Sequence, residues 1–405
     1  MKGLKALQSS DFRSYFAGQS ISYIGNKLQL SALGWHAYEL TGDPVSLGLI
    51  GFWRFLPILL LTLYGGNLVD RSQNQKKIML LAQYAMGGLS LVLAYFSFTE
   101  RVNVYHLYFI AGGTAAATAF DIPAKQAILP AIVQPNELNS AIRLNSLSST
   151  IAEILGPALL GILVSSFSIS MVYLLNALSF LGVILALFLM KSKPKGMKGN
   201  PKNSEMIVEG FHFLIQSPIL LGILSLDFLA SFFASGTTLL PVVSKEILGG
   251  DVTTYSLLTS TMAFGAVLAS FLITVLPHPT KPGRAIVYSV IGYGLATVFL
   301  GLSSNLYMAI PAILFIGGGE ILSRVLRDSL RQVLTPNPLR GRIGAINTLT
   351  SKSGPRLGEL EAGVVAGYFG AEISLISGGI LCTLTAIAYL IFHKPLIDCT
   401  EKKII

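Results

Sequence analysis

Charged side chains inside long apolar stretches are the first candidates for chemistry in this chain. Glu320, Arg324, Arg327 and Arg331 fall on one face of a helix, within roughly 60° of one another at 100° per residue, with Asp328 beside them. Lys352, Arg356 and Glu359 repeat the arrangement in the next apolar stretch, while Lys27, Arg54, Asp121, Lys125, Glu153 and Asp227 stand in others. A charge at membrane depth costs several kcal/mol unless it is paired or wetted, so these faces are expected to meet a water-filled cavity, another helix or each other. Cations exceed anions among them, and a desolvated basic surface orients carboxylates, catecholates or phosphates, arginine through its bidentate fork. Lys27, Arg54, Arg324, Lys352 and Arg356 are therefore the expected substrate-binding residues, and the expected substrate is a small organic anion. Asp227, Glu320 and Glu359 are candidates to carry a proton, and no feature of the sequence selects among them. Arg327 and Arg331, nearer the polar end of their stretch, are expected to be interfacial or gating. Asp121 and Lys125, four apart, are expected to form an ion pair, either structural or functional.

Other chemistries find little support. Cys382 and Cys399 form neither a metal motif nor a disulfide framework, and the five histidines are scattered. No nucleophile–base set, metal site, cofactor motif or phosphate-binding loop is visible, so an enzyme is not expected and any driving energy must come from a gradient or a partner. Aromatic residues such as Tyr23, Trp35, Trp53, Phe228, Phe232 and Phe233 could contact a ligand, but at helical spacing in a membrane protein they are more often packing residues or interfacial anchors.

The elements that carry these residues follow from composition. Of 405 residues, 52% are hydrophobic and 12% charged, about half the charge of a soluble domain. Twelve apolar segments can be read at 14–38, 45–68, 77–98, 104–132, 139–165, 169–190, 219–244, 255–276, 284–303, 306–331, 342–368 and 373–393. The first is too long for a signal-peptide core and is expected to remain as a span. Short turns such as Thr41-Gly42-Asp43-Pro44 and Gly249-Gly250-Asp251 separate the segments. With a cytoplasmic N-terminus, basic residues such as Lys2, Lys5, Arg71, Lys76, Lys77, Lys281, Arg340 and Lys394 all fall inside, against Arg101 and Lys245 outside. The net charge of +9 is then mostly this asymmetry rather than a nucleic-acid footprint. Both termini are expected to be cytoplasmic.

The long connection at 191–218 divides the chain into an N-terminal six-helix bundle (1–190) and a C-terminal one (219–405). Within it, Glu205 to Ile215 has the spacing of a short interfacial helix. The halves match weakly but in order. Gly42-Asp43 meets Gly250-Asp251, Pro135-Asn136 meets Pro336-Asn337, and Gly161 and Phe167 meet Gly363 and Phe369. Parallel repeats of this kind place a substrate site between the halves near the bilayer midplane.

The turn after the second segment, Gly66-Asn67-Leu68-Val69-Asp70-Arg71 followed by Lys76-Lys77, resembles the signature loop of the major facilitator superfamily. The branch it most resembles contains enterobactin exporters and macrolide-efflux proteins. The supporting residues are Asp11-Phe12-Arg13, Gly18-Gln19, Asp121-Ile122-Pro123-Ala124-Lys125, Leu144-Asn145-Ser146 and Gly156-Pro157-Ala158-Leu159-Leu160-Gly161. The resemblance implies an all-α membrane protein of twelve transmembrane helices in two six-helix bundles related by a pseudo-twofold repeat, working by alternating access. It implies proton-coupled export, with a siderophore-like chelator as the substrate consistent with the branch. The alternatives are an importer of a siderophore or its iron complex, and a multidrug or lysolipid transporter on the same fold. It further implies gating roles for Gly66, Asp70, Arg71, Gly156 and Pro157, with Gly66 admitting a neighbouring backbone. The expected setting is a monomer in a bacterial inner membrane, with the lipid bilayer and a small molecule as its partners. One departure weighs against proton antiport. Many proton-coupled members carry an arginine early in the fourth span, where Tyr108 to Gly113 here is uncharged.

Overall fold

The computed structural model of the chain describes residues 2–72, 74–192, 211–275, 279–336 and 339–399. Most of the expected interfacial helix (205–210) and part of the α8–α9 turn (276–278) lie outside the described residues, as does the side chain of Asp70. Residues 211–216 are helical.

Twelve long helices carry the twelve apolar segments. They are α1 (Ser10–Thr41), α2 (Val45–Arg71), α3 (Gln75–Phe98), α4 (Val104–Ile128), α5 (Leu138–Ser166), α6 (Ile169–Leu189), α7 (Pro218–Phe233), α8 (Val252–Val275), α9 (Pro282–Gly301), α10 (Leu306–Leu334), α11 (Arg340–Phe369) and α12 (Ala371–Phe392). Among the described residues, nine segments, one of them running from α7 on to Ile247, are long and apolar enough to cross a membrane by length and composition alone. The exceptions are α1, α4 and α11, whose polar and charged residues lower their hydropathy. Their ends follow local chemistry. Ser9, Asn74, Asn103 and Asn305 accept backbone N–H bonds at the starts of α1, α3, α4 and α10. Gly42, at φ +61°, closes α1 in a left-handed turn that a side chain would strain.

One segment departs from expectation. The seventh, read as a single span over 219–244, is a regular helix only to Phe233. It continues as a 3-10 turn (Ser235–Leu239), a short α turn (Leu240–Val242) and a π turn (Val243–Ile247). Pro241 has no N–H to offer the Thr237 carbonyl, which the Leu240 N–H meets instead, so the α-helical pattern does not resume there. The Ser235 hydroxyl lies 3.1 Å from the Pro355 carbonyl on α11, tying the irregular stretch to that helix.

Contacts divide the chain into two compact units. Unit 1 comprises Met1–Gly42, Trp53–Gly199 and Val252–Leu257; unit 2 comprises Asp43–Phe52, Asn200–Asp251 and Leu258–Ile405. The division differs from a simple cut at the long connection, because the first turns of α2 group with unit 2 and the first turns of α8 with unit 1. The two short pieces occupy matching places after Gly42-Asp43 and Gly250-Asp251. In unit 1 the main helix pairings are α1 with α6 and α5, and α3 with α4 and α6. Each recurs in unit 2 six helices on: α7 with α12 and α11, and α9 with α10 and α12. Phe12, Tyr15, Met79 and Leu187 lie in the core of unit 1, and Ile223, Leu226, Tyr293 and Leu330 in that of unit 2.

Glycines set how closely helices of unit 1 approach. At Gly156 on α5, an added Cβ would overlap Lys27 and the Leu28 backbone N on α1, so only glycine admits that crossing. Helix α5 runs unbroken across Pro157. Gly66, expected to admit a neighbour, faces open space, and the close approach is made by its neighbour Gly65 against the Ala119 carbonyl of α4. The expectation for Gly66 is thereby corrected, since a glycine pair in sequence does not reveal which member lies on the packed side.

At one end of unit 1 the chain leaving α6 is held by two side chains. Lys76 donates to the Met190 carbonyl at 3.1 Å, and Asp11 accepts from the Ser192 backbone (2.9 Å), the Ser192 hydroxyl (2.6 Å) and the Lys191 backbone (3.3 Å). Burial acts to raise the Asp11 pKa, but the Ser192 and Lys191 bonds and the Lys191 charge outweigh it and hold it below the ordinary aspartate value.

Two outcomes follow from these contacts. Gly156→Leu should lower the thermal midpoint of the purified protein by at least several degrees, whereas Gly66→Ala should leave it within the scatter of a surface substitution, about 0.5 kcal/mol. A group with a depressed folded-state pKa contributes stability that is present above its unfolded value, about 3.9, and lost as pH falls through the folded value. The midpoint difference between wild type and Asp11→Asn should therefore be constant from pH 7 to 5 and shrink below about pH 4; a difference unchanged down to pH 3 would remove Asp11 from this role.

Candidate functional site

In unit 1, Asp121 and Lys125 form the expected i,i+4 pair at 2.6 Å, and both side chains are largely buried. Gln83 on α3 donates to the second Asp121 oxygen at 2.8 Å, and the Lys125 ammonium stands 5.3 Å from the centre of the Tyr23 ring. With the Asp121 carboxylate answered on both oxygens, the group joins α1, α3 and α4, although the Gln83 Oε1 is buried without a hydrogen bond among the described residues. Lys27 pairs with Glu153 at 2.9 Å, one turn from the Gly156 crossing. That pair is open, with side-chain exposures of 36% and 51%. Arg54 is half-buried on α2 and has an interaction partner.

Unit 2 contains a sealed cluster and an open one. The sealed cluster centres on Asp227 of α7. One carboxylate oxygen meets Arg327 of α10 at 2.6 Å and the other accepts from the Ser351 hydroxyl of α11 at 2.5 Å. Arg327 also donates to the Ser323 hydroxyl one turn back. Side-chain exposures of 7% for Arg327 and 10% for Asp227 make this a buried pair. Arg327 is thus part of the bundle interior, which corrects its expected interfacial or gating placement. Its position near the polar end of α10 was legible; the acid on a helix nearly 100 residues earlier was not. Arg331 pairs with Asp328 at 2.8 Å on the same helix, the arginine side chain largely buried and the aspartate open.

The open cluster lies on α10 and α11. Glu320 pairs with Arg324 one turn apart, both roughly half-exposed. Arg356 pairs with Glu359 at 2.5 Å. Glu359 lies against Gly51 in the first turns of α2, where a Cβ would overlap its carboxylate. Lys352 is exposed one turn from Arg356, and its charged neighbour is that arginine rather than an acid. The structure therefore brings Lys352, Arg356 and Glu359 together. It gives each proton-coupling candidate an arginine: Asp227 with Arg327, Glu320 with Arg324, and Glu359 with Arg356. Of the gating candidates, Gly156 and Pro157 are buried in unit 1, and Arg71 is exposed at the end of α2.

Sequence reasoning passed over Gln83, Ser323, Ser351 and Glu361. Gln83, a buried amide in an otherwise apolar stretch, and Ser323, four residues before Arg327, were both detectable by spacing. Ser351 was not, because a serine next to Lys352 in a polar helix carries no distinguishing signal. Glu361 is half-buried on α11, half a helical turn from the Lys352 side of the wheel, with no hydrogen bond or ion pair among the described residues.

Residues 2–404 match the family described as Transmembrane secretion effector. The chain is 25% identical over 390 residues to the staphyloferrin A transporter of Staphylococcus aureus, covering 94% of this chain and 96% of that protein. It is 23% identical over 353 residues to the enterobactin exporter EntS of Shigella boydii, covering 86% and 83%. Its fold is similar to the crystal structure of the nucleoside transporter NupG, with a TM-score of 0.77 at 11% identity over 94% of this chain and 98% of that one. The chain belongs to the transmembrane secretion effector family of the major facilitator superfamily.

Proposed function

We propose that this transporter exports a small organic anion of the siderophore type, and that Lys352 and Arg356 on α11 recognise it. The observation that carries this reading is that, among the described residues, no acid pairs with Lys352. Arg356 and Glu359 neutralise each other, which leaves the Lys352 ammonium as net positive charge on a helix within the spanning region. Such a charge is costly unless it is wetted or balanced by an anion. A carboxylate or catecholate chelator supplies that balance, and Arg356 adds a planar fork when it turns from Glu359. The names of the staphyloferrin A and enterobactin relatives agree with a chelator as cargo.

Coupling to the proton gradient is assigned to Glu359. Protonation of Glu359 removes the counter-charge of Arg356 and frees the guanidinium for the substrate; departure of the proton restores the pair and displaces the anion. The lipid-embedded position, inner-membrane location and cytoplasmic termini belong to the same proposal. The reverse direction, import of a chelator or its iron complex, is the alternative, because the name of the staphyloferrin A relative states no direction.

The test is transport and binding in proteoliposomes of known orientation, with carboxylate and catecholate chelators and an imposed pH gradient. Wild type should move the anion from the cytoplasmic side, and Lys352→Gln with Arg356→Gln should weaken binding by about 10- to 100-fold, the scale of one or two charge-assisted bonds. Glu359→Gln should retain binding and lose its dependence on the pH gradient. Full transport by the folded double variant would end the assignment, and uptake from the opposite face would select the alternative.

A further inference from the structure

Unit 2 contains an apolar groove of about 770 Å³ between α8, α9 and α10. It is lined by Gly265 and Leu268 of α8, Tyr288 and Gly292 of α9, and Phe315 and Val333 of α10, among others. Tyr288, Phe315 and Val333 are more than half exposed, so the groove opens sideways onto whatever surrounds the bundle. For helices of this length and hydropathy that surrounding is lipid. On α9 the lining runs from Pro282 to Tyr293, a rise of about 16 Å. That is close to half of a hydrocarbon core of about 30 Å. The groove therefore has the depth of one leaflet.

Its mouth is basic. Pro279 and Pro282 line the outer end, and Lys281 between them is exposed with no side-chain partner among the described residues. Arg284, one turn before Tyr288, forms an open ion pair with Asp398 at 3.8 Å, too long for a hydrogen bond, and its buried Nε has no hydrogen bond among the described residues. This turn corresponds to the signature loop of the first half, but no acid occurs between Pro277 and Arg284. In sequence the turn thus lacks the acid that Asp70 provides in the first-half loop, and Asp398 answers Arg284 but leaves Lys281 without an acid among the described residues.

We propose that the groove is a binding site for one anionic diacyl phospholipid of the leaflet that meets the α8–α9 turn, with an acyl chain between α8, α9 and α10 and the phosphate at Lys281 and Arg284. An empty apolar groove facing lipid is filled by the solvent it faces, and two cations at its mouth favour an anionic headgroup over a zwitterionic one. A free anion would use the mouth alone and leave the groove unexplained.

The experiment measures binding of dioleoyl phosphatidylglycerol and dioleoyl phosphatidylcholine to the delipidated full-length protein in neutral detergent, by native mass spectrometry. Wild type should bind the glycerol lipid about tenfold more tightly than the choline lipid, the scale of one to two cations near a phosphate. Lys281→Gln with Arg284→Gln should bring the two affinities within about twofold of each other. Gly292→Trp tests the groove itself. A Cβ at Gly292 meets nothing within 4 Å, so a large side chain enters the groove rather than displacing a helix. This variant should lose at least about tenfold in affinity for both lipids, since the indole takes the space of an acyl chain. An unchanged lipid preference in the charge variant would overturn the proposal, as would unchanged affinity in Gly292→Trp or competition by soluble glycerol phosphate. The charge variant leaves helix packing untouched, so it decides the matter even where the tryptophan variant does not fold.

Discussion

A carboxylate at membrane depth can be kept only if its charge is answered, and in unit 2 the answer to Asp227 organises three helices. Arg327 comes from α10 and Ser351 from α11, while Asp227 itself sits on α7, the helix that ends as a regular element six residues later. Removing one partner from such a pair leaves an uncompensated buried charge, which costs about 3–5 kcal/mol. That is a large part of the stability of a folded domain. The break after Phe233 is tolerated because α7 is held on both sides of it, by Asp227 before and by Ser235 against α11 after.

Unit 1 meets the same constraint differently. Asp121 and Lys125 satisfy each other within one helix, with Gln83 supplying the remaining hydrogen bond. The two units share their helix pairings and each buries a cation on its fourth helix, Lys125 on α4 and Arg327 on α10, but the acid that answers it lies on the same helix in unit 1 and on α7, the counterpart of α1, in unit 2. The repeat preserves packing and leaves the polar chemistry free to differ. In unit 2 the charges that remain open lie on α10 and α11. Once Asp227 and Arg327 are sealed, the charges left for a ligand are those whose partners are exposed or absent, and Lys352 is the clearest of them.

Helices and family were legible in the sequence because both rest on local signals. Apolar runs, caps such as Asn103 and Asn305, and the Gly66 to Lys77 turn are contiguous in the chain. The Asp121–Lys125 and Arg356–Glu359 pairs were within reach for the same reason, being one turn apart. What could not be read were the partners joined across long sequence separations: Lys27 with Glu153, Arg327 with Asp227, and Ser351 with Asp227. A helical wheel gives the face on which a charge lies, but not the helix that face meets. The wheel grouped Arg327 with Arg324, though one is buried in a pair and the other open. The choice between Gly65 and Gly66 failed for a related reason, since a glycine marks a close approach only once the neighbour is placed.

The central claim is that the charges of unit 2 divide into a sealed pair that holds the bundle and an open set that meets the ligand. A double-mutant cycle on Asp227 and Arg327, read by thermal stability and by chelator affinity together, tests it most directly. The account predicts that Asp227→Asn and Arg327→Met each destabilise strongly, that the double variant recovers much of the loss, and that affinity for the anion changes less than about twofold in every folded variant. Additive losses of stability, or a loss of affinity with stability intact, would contradict it.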